Sequence, residues 1–176
     1  MLSRYSNVRE TLSTRSYSPS DYDDFACLKP PFMLWLAVVY LSRAITLPLA
    51  VALGRYAGVS EEAIAYCRDL WSAESLVPSL LAAAVFYALF RRVPTASLQV
   101  RWIWARGSLL LGGAAAIDVA IAVFSIARIG QLNDQVIVSL ATIAIDLYFL
   151  SYILLARRVR DAFLEFPPPE LAEHRQ

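Results

Sequence analysis

Three charged residues, Arg43, Asp118 and Asp146, each lie well inside a long apolar run of this chain. A charge near the middle of a membrane helix costs about 2.5–3.5 kcal/mol on insertion scales, so it needs a partner. The guanidinium of an arginine can serve two carboxylates at once. These residue types therefore predict an intramembrane polar cluster. Such a cluster either fixes the register of packed helices or carries a proton or an ion.

The three residues are predicted to lie at one depth. Counted from the Pro or Arg that flanks each run, Arg43, Asp118 and Asp146 are 13, 12 and 11 residues inward. At 1.5 Å per residue these counts give depths of roughly 20, 18 and 16 Å in a core of about 30 Å. One cation would face two carboxylates, so either one Asp stays protonated or another donor compensates. Ser42 and Thr142 are among the hydroxyls available at this depth.

The elements that must position this cluster are membrane helices. The chain is 58% hydrophobic and 18% charged, whereas soluble domains average about 45–50% apolar and about 25% charged residues. Because a spanning helix needs about 20 apolar residues, we predict an all-α, polytopic membrane protein built as a four-transmembrane-helix bundle. The predicted spans cover about residues 32–53, 70–90, 107–127 and 135–156.

Residues 30–160 are predicted to form the membrane domain, between a polar N-terminal tail (1–29) and a short polar C-terminal tail (161–176). Of the 16 Lys and Arg residues, twelve lie in or next to the tails and in the connection 91–106. Three lie in the other two connections, and the last is Arg43. The positive-inside rule then predicts that both termini are cytoplasmic.

A kink is expected in the first span, at Pro48. Proline lacks an amide donor, so it leaves the carbonyl of Ala44 without its helical partner. That carbonyl is close in sequence to Arg43, and we expect it to accept a hydrogen bond from the guanidinium.

The connection between the second and third spans is basic and aromatic, with no acidic residue. Its notable members are Arg91, Arg92, Arg101, Trp102, Trp104 and Arg106. Tryptophan prefers the headgroup level and arginine attracts anionic lipid, so we predict a cytoplasmic interfacial anchor. Single-stranded nucleic acids also bind basic and aromatic residues, but a net charge of +1 favours no nucleic-acid partner.

An acidic turn, Asp21, Asp23 and Asp24, precedes the first span. We expect either a solvated turn or ion pairs with arginines of the connection 91–106 or of the C-terminal tail. The second alternative would clasp the N-terminal segment over the bundle.

Few residues in the chain suit catalysis. The two cysteines, Cys27 and Cys67, fall on opposite sides of the predicted membrane, so a disulfide between them is not expected. The one histidine is His174, and no cluster has metal-ligand spacing. No phosphate-binding or nucleophile motif is present. We therefore predict neither a cofactor nor a metal nor an enzymatic activity.

The residue order Leu-Lys-Pro-Pro, Leu-Trp and Tyr-Leu-Ser-Arg within residues 21–43 resembles the start of the YfeZ-like family. These are small bacterial inner-membrane proteins of unknown function. The resemblance implies a multi-pass protein with four spans in a bacterial inner (cytoplasmic) membrane. It implies no activity, substrate or catalytic residue.

The sequence is compatible with two functions. The first is a structural, assembly or partner-binding membrane component held together by the Arg–Asp cluster. The alternative is a small dimeric transporter, ion- or proton-coupled, that uses the same cluster. The expected partners are the lipid bilayer and either a second copy of the chain or another membrane protein.

Overall fold

The computed structural model describes residues 17–69, 71, 73–129 and 134–168. Every regular element within these ranges is helical, as predicted. The α-helices are α1 (Phe32–Leu41), α2 (Arg43–Tyr56), α3 (Glu61–Asp69), α4 (Leu76–Phe90), α5 (Leu98–Ala105), α6 (Gly107–Ile129), α7 (Asp134–Leu155) and α8 (Arg157–Leu164). Short 3-10 turns form at Pro19–Asp21 and Ala73–Ser75. The predicted tails lie partly outside the described residues, and so does His174.

Three helices are long and apolar enough to cross a membrane, which indicates a membrane protein. They are Ala73–Phe90, Gly107–Arg128 and Val136–Leu155, of 18, 22 and 20 residues. The pair α1 and α2 meets the same criteria only when taken together, and its two helices are bent by 85°. The described residues therefore contain three helices able to span a membrane, or four such segments if the bent pair counts as one span.

The bundle is built around an antiparallel hairpin of α6 and α7, with α4 packed on α6 and α1 packed on α4. Its core is aliphatic and includes Leu41, Val85, Leu111 and Ile153. One end of the bundle holds the first residues of α1 and α6 and the last residues of α4 and α7. We call it the capped end. The short helices α5 and α8 pack on each other and on α6 there.

The first predicted span is broken at Ser42, ahead of the proline at which a kink is expected. The Ser42 hydroxyl donates to the Val38 carbonyl at 2.8 Å and lies 3.1 Å from the Val39 carbonyl. A serine that bonds back to its own helix competes with the backbone ladder and favours a bend. The helix ends at Leu41 for this reason and restarts at Arg43 in a new direction.

Ser79 of α4 stabilises the break. Its hydroxyl donates to the Leu41 carbonyl (2.9 Å) and accepts from the Ala44 amide (3.2 Å). These two backbone groups flank the break, and backbone groups inside a membrane must find partners within the protein. The side chain of Ser79 is fully buried, so the joint is held from a neighbouring helix.

The carbonyl that Pro48 deprives of its donor accepts a hydrogen bond from Trp71. The Trp71 indole N–H donates to Ala44 O at 2.9 Å. The expected bond from Arg43 is therefore replaced, because Arg43 begins α2 and directs its guanidinium elsewhere. With its acceptor satisfied, α2 continues through Pro48 without a second break.

Candidate intramembrane polar site

An ion pair joins α2 to α6. Arg43 Nη2 lies 2.5 Å from Asp118 Oδ2, and the two side chains are 20% and 3% exposed. Such a charge-assisted contact is stronger than a neutral hydrogen bond. The guanidinium carbon also lies 4.7 Å from the centre of the Tyr40 ring, a cation–π geometry that helps to offset desolvation.

The turn Ala73–Ser75 covers the other oxygen of Asp118. The buried Ser75 hydroxyl donates to Asp118 Oδ1 at 3.4 Å. Asp118 is therefore held from two directions, by Arg43 at one oxygen and by Ser75 at the other.

Asp146 of α7 is the third charged member, and it is fully buried. Its carboxyl interacts with Asp118, Arg43 and Tyr40. Of the two carboxyls, Asp118 is the one in direct ion-pair contact with Arg43 among the described residues. Arg43 Nη1 and the Tyr40 hydroxyl are buried donors beside the Asp146 carboxyl. The site therefore gathers one guanidinium, two carboxyls and a phenol in one buried cluster.

The charges of the cluster do not cancel when both carboxyls are ionised. One guanidinium then faces two carboxylates, which leaves one negative charge in a setting where an isolated charge is costly. A proton or a monovalent cation would bring the cluster to neutrality. Within the described ranges, no group of three or more His, Cys, Asp or Glu side chains is placed to hold a metal ion.

The two predicted hydroxyls are near the cluster but bond to their own helices. Ser42 shapes the break before Arg43, as described above. Thr142 donates to the Val138 carbonyl at 3.0 Å and neighbours the Tyr40 hydroxyl. Tyr40 was missed in the sequence, although it precedes Arg43 by three residues, a spacing that places side chains on one helical face.

The predicted interfacial anchor divides into buried and exposed members. Arg92 and Trp104 are only 7% and 1% exposed, so the expectation that they face lipid is wrong. Arg92 Nη1 lies 3.5 Å from Asp23 and donates to Leu28 O at 3.0 Å, while its Nη2 donates to Glu165 O at 3.2 Å. These two residues are buried because the terminal segments fold over them.

The other members of the anchor lie at the surface or near it. Arg91, Trp102 and Arg106 are exposed, and the Arg106 guanidinium stacks on Trp102 with 4.3 Å between the guanidinium carbon and the ring centre. Arg101 is half-buried and donates to the Pro94 carbonyl at 2.7 Å. For these four residues an interfacial role stays a prediction.

The acidic turn forms the ion pairs that one of its two interpretations predicts. Asp21 lies 2.7 Å from Arg158, and this guanidinium lowers the pKa of the Asp21 carboxyl. Asp23 meets Arg92 as described, whereas Asp24 is exposed. The Leu28 amide also donates to the Glu165 carboxylate at 2.6 Å. The segments before α1 and after α8 are thus clasped together at the capped end.

The fold and the polar site together define a small helical membrane protein with a buried ion pair between a broken helix and a long spanning helix. The chain belongs to the family described as "Protein of unknown function (DUF2919)", whose sequence profile matches residues 17–165. The match covers every described helix and the clasped segments. This match agrees with the predicted family of unknown function, and the YfeZ-like resemblance stays a prediction. No curated protein and no solved structure matches the chain.

Proposed function

We propose that this chain is an integral membrane protein that carries protons or monovalent cations by way of Arg43, Asp118 and Asp146. The observation that carries the proposal is Asp146, a second carboxyl that is fully buried beside the Arg43–Asp118 pair, so that one guanidinium faces two carboxyls. An ionised carboxylate in this setting costs several kcal/mol. Binding of a proton or a small cation removes that cost, and release restores it.

The broken helix supports this proposal. Transporters often build their sites from discontinuous helices near the middle of the bilayer, and irregular backbone occurs at that depth only where protein or a cavity surrounds it. Here α1 and α2 meet at 85°, directly before Arg43. The break thus lies beside the titratable groups.

The finer topology belongs to the same proposal. We place the chain in a bacterial inner membrane with four spans, the bent pair counting as one, and with both termini cytoplasmic. The distribution of Lys and Arg supports this orientation. Because four short spans enclose little volume, we further propose that the working form is a homodimer.

The test is ion flux through purified protein in sealed liposomes. A trapped pH dye would report proton entry driven by a potassium diffusion potential, in the presence and absence of a sodium gradient. Native protein should acidify the lumen faster than empty liposomes do, and Asp146→Asn should fall to the empty-liposome rate. Asp24→Asn is the matched control, because Asp24 is exposed and distant from the cluster in sequence and at the other end of α1.

Two outcomes would overturn the proposal. Native protein with no flux above empty liposomes under either gradient would remove the transport function. Full flux in Asp146→Asn would show that ions cross without this carboxyl.

A structural or partner-binding role is the second candidate, and the close Arg43–Asp118 contact favours it. That contact already gives Arg43 a counter-ion, so it would serve as a staple that fixes α2 against α6. This role predicts no flux in the native protein. It also predicts a defined membrane partner that co-purifies in mild detergent with native protein and is lost with Asp118→Asn, while Asp146→Asn retains it.

A further inference from the structure

The short helix α5 borders an open apolar groove at the capped end. The groove has a volume of about 480 Å³ and is lined by Leu98, Gln99, Trp102 and Ile103. Leu98 and Trp102 are 84% and 54% exposed. The lining contains no acidic side chain, so the groove offers an apolar wall without negative charge.

A cation lies at the edge of this groove. The guanidinium carbon of Arg106 is 4.3 Å from the ring centre of Trp102, and Trp102 lines the groove. Arg106 is exposed and forms no ion pair within the part of the chain that the structure describes. The stacking on Trp102 therefore orients a positive charge whose donors are available to an anion.

The groove lies where a membrane would end. The spanning helix Gly107–Arg128 begins immediately after Arg106, which places the guanidinium at one boundary of the apolar region. Exposed tryptophan is typical of that level, and basic residues there attract anionic headgroups. An arginine beside an apolar groove at this depth matches an amphiphile with a negative head and an aliphatic tail.

We propose that this groove is a binding site for an anionic phospholipid. The lipid phosphate pairs with Arg106, and one acyl chain lies along Trp102 and Ile103. The site does not depend on the ion-transport proposal, since it shares no residue with the intramembrane cluster.

Arg91 provides a matched control. It is also exposed at the capped end, but it lines a separate polar pocket with Tyr87, Ser97 and Val100 among its neighbours. A general attraction between basic protein and anionic lipid would use Arg91 and Arg106 alike, whereas the proposed site requires Arg106.

The experiment measures quenching of tryptophan fluorescence by brominated lipids in vesicles that contain the purified chain. Brominated phosphatidylglycerol should reach half-maximal quenching at about fivefold lower mole fraction than brominated phosphatidylcholine. Trp102→Phe should remove this difference, which assigns it to the groove. Arg106→Gln should remove it as well, while Arg106→Lys and Arg91→Gln should keep it. Circular dichroism and gel filtration would show that each variant is folded.

Three results would overturn the proposal. They are equal quenching of native protein by the two lipids, equal losses in Arg91→Gln and Arg106→Gln, and relief of phosphatidylglycerol quenching by millimolar inorganic phosphate. The last result would mean that the site takes phosphate without its lipid. Asp146→Asn should leave the quenching unchanged, which keeps this test separate from the flux measurements.

Discussion

The indole nitrogen of Trp71 lies 2.9 Å from the carbonyl oxygen of Ala44, the carbonyl that Pro48 leaves without a helical donor. Trp71 lies outside the helices, in the segment that leads to α4. It therefore ties that segment to the first turn of α2, on the far side of the break from α1. Ser79 bridges the break through Leu41 and Ala44, so the backbone before and after Ser42 is held by two side chains distant in sequence.

We expect Trp71→Phe to destabilise the protein, because it removes the donor and keeps the ring. The expected loss is about 1–3 kcal/mol, the cost of a backbone acceptor left unsatisfied away from water. The measurement is the free energy of unfolding in mixed detergent micelles, with circular dichroism as the readout. Trp102→Phe is the control, since its ring is 54% exposed. Equal losses in the two variants would argue against a role for the Ala44 bond.

The length of the apolar runs and the depth of the charges within them suffice to predict the helices and the proximity of Arg43 to the two aspartates. Both arguments depend only on local sequence and the thickness of a bilayer. The structure pairs Arg43 with Asp118 and leaves Asp146 buried beside them. The direction of α2 after the break decides which carboxylate pairs with the guanidinium. Depth in the membrane alone therefore does not predict this pairing.

The break itself depends on contacts distant in sequence. Pro48 is the obvious helix breaker, yet it is accommodated by a tryptophan 23 positions later in the chain. Serine is common in membrane helices, so Ser42 alone does not predict a break. The break is stabilised by Ser79, which bonds to the backbone groups on either side of Ser42. In the same way, adjacent arginines differ: Arg92 is buried and Arg91 exposed, because only Arg92 lies under the folded terminal segments.

Close packing at Gly107 predicts that alanine substitutions at two glycines of α6 have opposite effects on stability. A Cβ atom at Gly107 would overlap the ring of Phe163, whereas one at Gly113 would meet nothing within 4 Å. Gly107→Ala must displace the Phe163 ring, which packs against Trp104, at a cost of about 1–3 kcal/mol. Gly113→Ala should stabilise the helix by about 0.5–1 kcal/mol.

The measurement for both glycine variants is the free energy of unfolding in the same micelles. A shift of the same sign in the two would contradict the packing of α8 against the start of α6.

The thiol of Cys27 should react slowly with maleimides. Burial at the clasp, where the residue is 5% exposed, raises its pKa to about 11 from 9.0. The reactive thiolate is then about 100-fold rarer at neutral pH than for an ordinary thiol. Mass spectrometry of N-ethylmaleimide adducts at pH 7.5 would compare Cys27 with Cys67, a half-buried free thiol in the same chain.

The rate at Cys27 should rise with pH toward 11 and should increase when Arg158→Gln removes the ion pair with Asp21. Equal rates for the two cysteines in the native protein would show that the clasp does not shield Cys27.

The two aspartates of the cluster should respond differently to neutral substitution, because only Asp118 contacts Arg43 directly. Asp118→Asn removes the carboxylate in direct contact with the guanidinium and leaves the more distant Asp146 as its counter-ion. Breaking a buried pair costs up to about 3–5 kcal/mol. Asp146→Asn removes a buried carboxyl that lies beside another carboxyl and outside the direct Arg43–Asp118 contact, so its expected effect is within about 1 kcal/mol of zero or stabilising. Double-mutant cycles in mixed micelles separate these effects.

The cycle of Arg43→Gln with Asp118→Asn should give a coupling energy well above the experimental error. The cycle of Arg43→Gln with Asp146→Asn should give a coupling energy close to zero. Equal coupling to both carboxyls would mean that the guanidinium is shared between them, and the uncompensated carboxyl on which the ion-transport proposal depends would then not exist.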